Sequence, residues 1–158
     1  MTLALISTAF REGSPIPVKH TCDGADVSPA LSWEGTPRGT ATFAMIADDP
    51  DAPAGTWVHW VLYDLSGSAV QLPENVPTTD TLPDLGGAIQ GRNDFRRTGY
   101  GGPCPPPGPA HRYFFKLYAL DAPLKLGPGA TKQEVEAAMK DHLLATTQLV
   151  GTYARRKR

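Results

Sequence analysis

Long apolar runs are missing from this sequence, and so are most of the features that mark export or membrane insertion. No stretch approaches the roughly 20 apolar residues that a membrane-spanning helix needs. Residues 1–10 have no basic start, no continuous apolar core and no cleavage site, so no signal peptide is expected. Only two cysteines are present, which is too few for a disulfide framework. These absences predict a cytoplasmic protein with no membrane span.

The sequence also lacks an excess of charge of either sign. The net charge is −1, and no basic stripe of the kind that neutralises nucleic-acid phosphates is present. The one basic cluster, Arg-Arg-Lys-Arg at residues 155–158, is expected to be a solvated tail. A contact with nucleic acid or anionic lipid would normally need a longer basic run. We therefore expect no nucleic-acid partner.

The common catalytic motifs are absent as well. The sequence has no Gly-rich phosphate loop with lysine, no dinucleotide fingerprint and no HExxH zinc motif. It also lacks the G-x-S-x-G elbow of serine hydrolases. The spacing of Cys22 and Cys104 matches no zinc pattern. These absences favour a binding protein over an enzyme.

Glycine and proline, by contrast, are abundant. There are 16 of each, so together they make up about a fifth of the 158 residues, against about an eighth in an average protein. They separate short apolar runs instead of forming one tract, which is typical of many turns that join short strands. The length fits a single domain over residues 1–158.

The periodicity predicts many short strands and one late helix, which together indicate a mainly β protein, a β-sandwich with helical decoration. Residues 67–84 are expected to form a long surface excursion. The helix begins with a capping box at Thr131 and Glu134 and is expected to end near residue 144, with His142 on its buried stripe. The predicted strands are residues 2–10, 18–21, 28–33, 40–47, 57–65, 87–95, 111–121 and 146–153.

Strand periodicity also orients the candidate side chains. A period of two places Trp57, His59, Val61 and Tyr63 on one face of the strand at residues 57–65. Both faces of this strand are largely apolar, so it should be central in its sheet. In the strand at residues 111–121, the same period places His111 and Tyr113 on one face.

Three features at the junctions of loops and strands could form a pocket. The loop at residues 48–53 carries three carboxylates in four positions, and such close like charges need a cation, a proton or histidines as partners. His59 follows on the next strand, and His111 and Tyr113 begin a strand directly after a proline-rich loop. Each feature alone is more often a turn or a structural histidine. Together Asp49, His59 and His111 could also bind zinc or iron, which their spacing does not exclude.

Three unusual blocks stand out in the sequence: Asp-Pro-Asp-Ala-Pro at 49–53, Trp-Val-His-Trp at 57–60 and the proline-rich run to His-Arg-Tyr at 100–113. They resemble, in the same order, the signature blocks of the phosphatidylethanolamine-binding proteins. This family includes the Raf kinase inhibitor proteins and the plant flowering regulators. Blocks at 21–24, 28–33 and 149–153 are similar to the bacterial and archaeal branch. The resemblance covers nearly the whole chain.

The resemblance implies a two-sheet β-sandwich with a large central sheet, a smaller sheet and a peripheral C-terminal helix. It also implies a small pocket that accepts phosphate, acetate or a phospholipid head group such as phosphorylethanolamine, without a cofactor or a resident metal. Prolines of the pocket loops are candidates for cis peptide bonds. By motif position, the ligand-binding residues are Asp49, Asp51, Pro53, Trp57, His59, Pro105, His111 and Tyr113.

Two imidazoles, a phenol and backbone N–H groups can supply the donors that such an anion needs. Asp49 would raise the pKa of a neighbouring histidine and orient it. The resemblance further implies that Cys22 and Cys104 lie close together, and in the cytoplasm a reduced pair is expected. It makes a homodimer plausible.

The leading functional hypothesis is a non-enzymatic protein that binds a small anion or a phospholipid head group and regulates a protein partner. One alternative is an inhibitor of a protease or kinase that acts through the rim of the pocket. The other is a metal-dependent or acid–base hydrolase that uses Asp49, His59 and His111. Animal members that bind kinases have a longer C-terminal region, so a kinase-regulating role does not carry over directly.

Overall fold

The computed structural model describes residues 2–155, which form two antiparallel sheets and one α-helix. The larger sheet has six strands in the order β6-β7-β4-β3-β8-β9, and the smaller has three in the order β1-β2-β5. The α-helix is α1 (Lys132–Met139). The strands are β1 (Ala4–Ile6), β2 (Leu31–Glu34), β3 (Thr42–Asp49), β4 (Trp57–Ser66), β5 (Gln71–Leu72), β6 (Thr81–Leu82), β7 (Ala88–Gln90), β8 (His111–Leu120) and β9 (Leu143–Tyr153).

The larger sheet is covered on both faces, so its central strands are apolar on both sides. All eight residues of β3 are buried. Phe43 and Met45 pack between the two sheets, in a cluster with Trp33 of the smaller sheet. Ile46 packs on the other face, in a second cluster with Val135 of α1. This arrangement confirms the predicted mainly β sandwich and the central position of β4.

A bulge in β4 alters the predicted alternation. His59 has no partner on β3, because the register shifts by one residue between the pairs formed by Val58 and Trp60. Val61 and Tyr63 therefore pack with Val58 in the cluster on the α1 side. The ring of His59 lies on the opposite, inter-sheet side. The prediction that Val61 and Tyr63 share a face with His59 is wrong for this reason.

The helix starts as predicted and ends early. Thr131 Oγ1 accepts a hydrogen bond from the Glu134 backbone N–H at 3.2 Å, and the Glu134 carboxylate accepts from the Thr131 N–H at 3.0 Å. The helix ends at Met139, not near residue 144, because Lys140 leaves the helical conformation with ψ 135°, and the left-handed Asp141, with φ 71°, then turns the chain. His142 consequently lies outside the buried stripe and pairs with Asp121 at 2.8 Å.

The smaller elements are shorter than the sequence predicted. The β-compatible run at residues 2–10 forms a strand only at Ala4–Ile6. Residues 18–21, predicted as a strand, instead contain a 3₁₀ turn at Val18–His20 that follows Pro17. The surface excursion at residues 67–84 includes the short strands β5 and β6.

The two cysteines are bonded to each other, with an S–S distance of 2.05 Å, across 82 residues of sequence. The expectation of a reduced pair is wrong. The bond joins the segment after the first 3₁₀ turn to the proline-rich loop, where the Cys22 N–H also donates to the Pro103 carbonyl at 3.0 Å. Within residues 2–155 every peptide bond is trans, so the expectation of cis prolines is also wrong.

The end of the described chain lies against the same loop. Arg155, the first residue of the predicted solvated tail, forms an ion pair with Asp23 at 3.1 Å and a β-bridge with Pro107. The other residues of that predicted tail, 156–158, lie outside the described residues. In the part of the chain that is described, no helix has the length and apolar character to cross a membrane.

Candidate functional site

Three strand ends meet at one end of the larger sheet. In the sheet order β3 lies between β4 and β8, and both pairings are antiparallel. Asp49 at the end of β3 lies opposite Trp57 at the start of β4. His111 begins β8 on the other side of β3. The sheet topology therefore brings together side chains that are more than 60 positions apart in sequence.

These strand ends and two loops enclose a cavity of about 210 Å³. Seven of the eight residues predicted to bind a ligand line it; Asp51 is the exception. Four further residues complete the lining. The full set is Asp49, Ala52, Pro53, Trp57, His59, Phe95, Cys104, Pro105, Pro106, His111 and Tyr113.

Asp49 and His111 form the charged centre of the cavity. Nδ1 of His111 donates to Oδ2 of Asp49 at 2.7 Å, and both side chains are largely buried. Oδ1 of Asp49 accepts from the backbone N–H of Asp51 at 2.8 Å. The carboxylate therefore fixes the orientation of the imidazole, and Nε2 is the ring nitrogen of His111 that remains for a ligand.

His59 is held differently. Its Nδ1 donates to the carbonyl oxygen of Gly101 at 2.6 Å. Burial lowers the pKa of His59, and the hydrogen bond to Gly101 opposes that shift only in part. The ring is therefore neutral near pH 7. Since Nδ1 carries the proton, Nε2 of His59 is a hydrogen-bond acceptor in that state.

Tyr113 has the one buried side-chain polar atom within residues 2–155 that lacks a hydrogen-bond partner. Only 3% of the residue is exposed, and its hydroxyl forms no hydrogen bond of acceptable geometry. Burial raises the pKa of Tyr113, and the Asp49 carboxylate raises it further through its charge and through a weak interaction with the hydroxyl, which therefore stays protonated at neutral pH. A buried donor without an acceptor is costly, and Tyr113 lines the cavity.

Asp51 lies outside the lining. Its carboxylate accepts three hydrogen bonds from Arg112, at 2.9 Å each, from the backbone N–H, Nε and Nη2. The hydrogen bond from the Arg112 side chain lowers the pKa of Asp51 to about 2. Asp51 therefore ties the loop after β3 to β8 and does not face the cavity.

Phe95 is the main lining residue that sequence reasoning missed. Its ring packs edge-on against Trp57 at 5.5 Å and against His59 at 5.4 Å. The loop that carries it is held by Asp94, whose carboxylate accepts from the Val58 N–H at 2.7 Å. No sequence pattern indicated this contact. Cys104 and Pro106, in contrast, are neighbours of the predicted Pro105.

The cavity does not resemble an assembled metal centre. Among residues 2–155 no group of three or more His, Cys, Asp or Glu side chains is placed to hold a metal ion. Nδ1 of each histidine is engaged, by Asp49 or by the Gly101 carbonyl, and Nε2 is the ring nitrogen that is left for a ligand of any kind.

This chain is similar to known proteins over nearly its whole length. The family model described as "Phosphatidylethanolamine-binding protein" matches residues 6–154. A UPF0098 protein of Methanothermobacter thermautotrophicus is 50% identical over 147 residues, which are 93% of this chain and 95% of that protein. A UPF0098 protein of Aquifex aeolicus is 47% identical, over 97% of this chain and 89% of its own length.

Two solved structures have the same fold. E. coli YbcL, described as a new member of the mammalian PEBP family, superposes with a TM-score of 0.92 at 31% identity, covering 99% of this chain and 100% of YbcL. A putative phosphatidylethanolamine-binding protein homologue from Chlamydia trachomatis gives a TM-score of 0.88 at 39% identity, with 98% of each chain covered.

Proposed function

This chain belongs to the phosphatidylethanolamine-binding protein family, as its motif blocks indicated, and on that premise we propose that it binds a small anion in the cavity around Asp49, His59, His111 and Tyr113. The ligand class is a phosphate-like group, free or as the head group of a phospholipid. Ligand pockets for drug-sized molecules are about 300 to 1,000 Å³. A cavity of about 210 Å³ is suited to a head group and not to acyl chains.

The observation that carries this proposal is the hydroxyl of Tyr113. A buried O–H without an acceptor costs on the order of 1–3 kcal/mol. An anion in the cavity would supply the acceptor, and the penalty would turn into a favourable, desolvated hydrogen bond. The Asp49 carboxylate is near enough to influence this hydroxyl, but no hydrogen bond of acceptable geometry joins the two groups.

The two histidines suit the two chemical roles that a phosphate monoester offers. His111, oriented by Asp49, can donate from Nε2 to a phosphoryl oxygen once its ring is protonated. His59, kept neutral by burial, can accept from a P–OH group or from an ammonium group. Trp57 and Phe95 supply the apolar wall that lowers the local dielectric and strengthens these bonds.

We favour a binding role over a catalytic one. Among the described lining residues there is no Ser, Thr or Lys, and Cys104 has no thiol because it is in a disulfide, so the only nucleophiles there are the carboxylate, imidazoles and phenol to which we assign binding roles. Regulation of a protein partner through the rim, a homodimer and a cytoplasmic location stay predictions. The disulfide weakens the argument for the cytoplasm, where such bonds are rare.

The test is isothermal titration of the purified protein with inorganic phosphate and with phosphorylethanolamine, combined with a crystal soaked in phosphate. We expect one anion between His111 and Tyr113, and binding at least about tenfold weaker in His111→Gln and in Tyr113→Phe. Absence of density between His111 and Tyr113, or variants that bind an anion there as the unmodified protein does, would contradict the assignment. Stoichiometric metal that is lost in His59→Ala would favour the hydrolase alternative instead.

A further inference from the structure

The two strands that form the candidate site also form a second cavity on the opposite face of the same sheet. Successive residues of a strand point to opposite faces, so Asp48 and Arg112 face away from Asp49 and His111. This second cavity, of about 350 Å³, is here called the basic cavity. Its lining consists of Asp48, Pro50, Thr56, Arg112, Phe114, Lys116, Lys132 and Gln148.

A buried carboxylate positions two ammonium groups in the basic cavity. Asp48 is 1% exposed, and its Oδ2 accepts from Nζ of Lys116 at 3.1 Å and from Nζ of Lys132 at 2.8 Å. One lysine would be enough to balance one carboxylate. The second leaves a surplus positive charge, and it brings two like charges to the same oxygen atom, which is unfavourable without a further anion.

Arg112 and Phe114 extend the positive surface. The Arg112 guanidinium is held by its bidentate contact with Asp51 and lies 5.4 Å from the centre of the Phe114 ring. Nζ of Lys116 lies 5.8 Å from the centre of the same ring. Both cations are therefore fixed by their partners, so little conformational entropy is left to lose when a ligand binds.

We propose that the basic cavity is a second anion site, which binds a phosphoryl dianion between Lys116, Lys132 and Arg112. The described lining contains three cations against the single carboxylate of Asp48, and Asp51 balances one of them from outside, so a net positive charge remains. Lysine ammonium groups keep unused protons after bonding Asp48, and Thr56 and Gln148 add neutral donors. This is the donor set that phosphoryl oxygens require.

A structural role for Asp48 alone does not account for the arrangement. The two lysines come from different elements, β8 and the first residue of α1, and each is only partly exposed, at 28% and 15% of its side chain. Holding a second ammonium group in a partly buried position costs desolvation and side-chain entropy. A bound dianion would offset this cost, because it shares the second positive charge.

The experiment is a titration of the ¹⁵N-labelled protein with inorganic phosphate and, separately, with methyl phosphate, observed through side-chain NMR signals. The side-chain amide of Gln148 and Nε–H of Arg112 report on the basic cavity, and Nε1–H of Trp57 reports on the first cavity. We expect the signals of both cavities to shift, and the phosphate concentration at the midpoint of the shift to differ between the two. A response to methyl phosphate at Gln148 would show that a phosphomonoester is accepted as well as free phosphate.

Variants separate the two sites. Lys132→Gln should weaken the response at Gln148 and Arg112 by about tenfold or more, while the midpoint at Trp57 stays the same. Lys140→Gln, on an exposed lysine just after α1, is the matched control for loss of one charge and should change neither the response of the basic cavity nor the midpoint at Trp57.

Lys116→Gln repeats the test if Lys132→Gln fails to fold. His111→Gln should abolish only the Trp57 response, so a failure of the first cavity is distinguishable from a failure of the second.

Two outcomes would overturn the proposal. In one, phosphate at tens of millimolar shifts Trp57 and leaves the Gln148 and Arg112 signals unmoved. In the other, Lys132→Gln and Lys140→Gln weaken the response equally, which would show that the general charge of the surface acts and not a built site.

Discussion

Nδ1 of His111 lies 2.7 Å from Oδ2 of Asp49, and this hydrogen bond joins the start of β8 to the end of β3. It also decides which ring nitrogen is left for a ligand. With the proton of Nδ1 committed to the carboxylate, a neutral His111 has only a lone pair at Nε2. An anion is therefore accepted at Nε2 only when the ring takes up a second proton.

The first prediction is that anion binding in the cavity around Asp49 is linked to proton uptake. Sulfate is a suitable probe because it stays a dianion between about pH 5 and 8, where histidines titrate. Its affinity should fall as pH rises, by at most about tenfold per pH unit for one linked proton. Calorimetry in buffers of different ionisation enthalpy measures the proton uptake directly.

Asp49→Asn and His111→Gln test this linkage. An amide at position 49 is a weaker acceptor for Nδ1–H and holds the imidazole less firmly in place, so sulfate should bind more weakly to Asp49→Asn. In His111→Gln the pH dependence should largely disappear. If the unmodified protein binds sulfate equally well at the two ends of the range, the proposed role of His111 is wrong.

The second prediction is that Tyr113→Phe separates stability from binding. In the absence of a ligand the substitution removes an unpaired buried donor, so the free energy of unfolding should be unchanged or raised by about 1 kcal/mol. Binding of phosphate should weaken. Urea unfolding and calorimetry on the same preparation measure the two quantities.

Tyr63→Phe is the matched control. The Tyr63 hydroxyl donates to the Gly127 carbonyl and accepts from the Ala130 N–H at 3.3 Å, on the other face of the sheet. Its removal should lower the free energy of unfolding by about 1 kcal/mol and leave phosphate binding as it was. Equal loss of stability in both variants would mean that Tyr113 has a partner in the free protein.

The third prediction concerns His59 and acid stability. Burial lowers the pKa of His59 in the folded state, whereas the unfolded chain titrates near 6.5. Between these two pKa values the unfolded state binds more protons, so the free energy of unfolding falls as pH drops below about 6.5. The contribution of His59 is fully present above that pH.

Denaturant unfolding across the pH range from about 5 to 8 measures this slope. His59→Asn retains a donor for the Gly101 carbonyl but cannot titrate, so its slope should be smaller than that of the unmodified protein. An NMR titration that finds the pKa of His59 at or above its ordinary value would contradict the prediction.

The fourth prediction is that the disulfide supports both the fold and the cavity. A bond across 82 residues should contribute about 4.5 kcal/mol in the chain-entropy treatment, and measured contributions are often smaller. Cys22→Ser with Cys104→Ser should therefore lower the free energy of unfolding by about 2–4 kcal/mol. Phosphate should also bind more weakly, since Cys104, Pro105 and Pro106 line the cavity.

Mass spectrometry after thiol alkylation gives the bonded fraction in the purified protein, and unfolding with and without reductant gives the stability difference. In the double serine variant, reductant should have no effect. A fully alkylated native protein that is as stable as the oxidised one would contradict this role of the bond.

The sequence predicted most of the parts of the site that lie on long antiparallel strands. Trp57 and His111 begin strands where the prediction placed them, whereas Asp49, which was predicted to lie in the loop at residues 48–53, is the last residue of β3. Neighbouring strands then bring them together. The ordered motif blocks located Pro53 and Pro105, which no periodicity could have placed.

The features that the sequence did not predict depend on contacts between distant segments or on single backbone angles. Phe95 reaches the cavity because Asp94 holds its loop on β4, which no local pattern encodes. The stripe of α1 continued into Leu143 in the sequence, but the extended ψ of Lys140 ends the helix and the left-handed Asp141 turns the chain into β9. The reduced cysteines followed from a compartment rule, which carries no information about their distance in space.

The bridge between Arg155 and Pro107 has a practical consequence for anyone who purifies or immobilises this protein. Pro107 directly follows two prolines that line the cavity, so a tag or fusion partner attached near residue 155 would begin next to the loop that forms part of the cavity wall. A polyhistidine tag there would add titrating imidazoles beside a site whose anion affinity is to be measured as a function of pH. An attachment before β1, or removal of the tag, avoids that artefact.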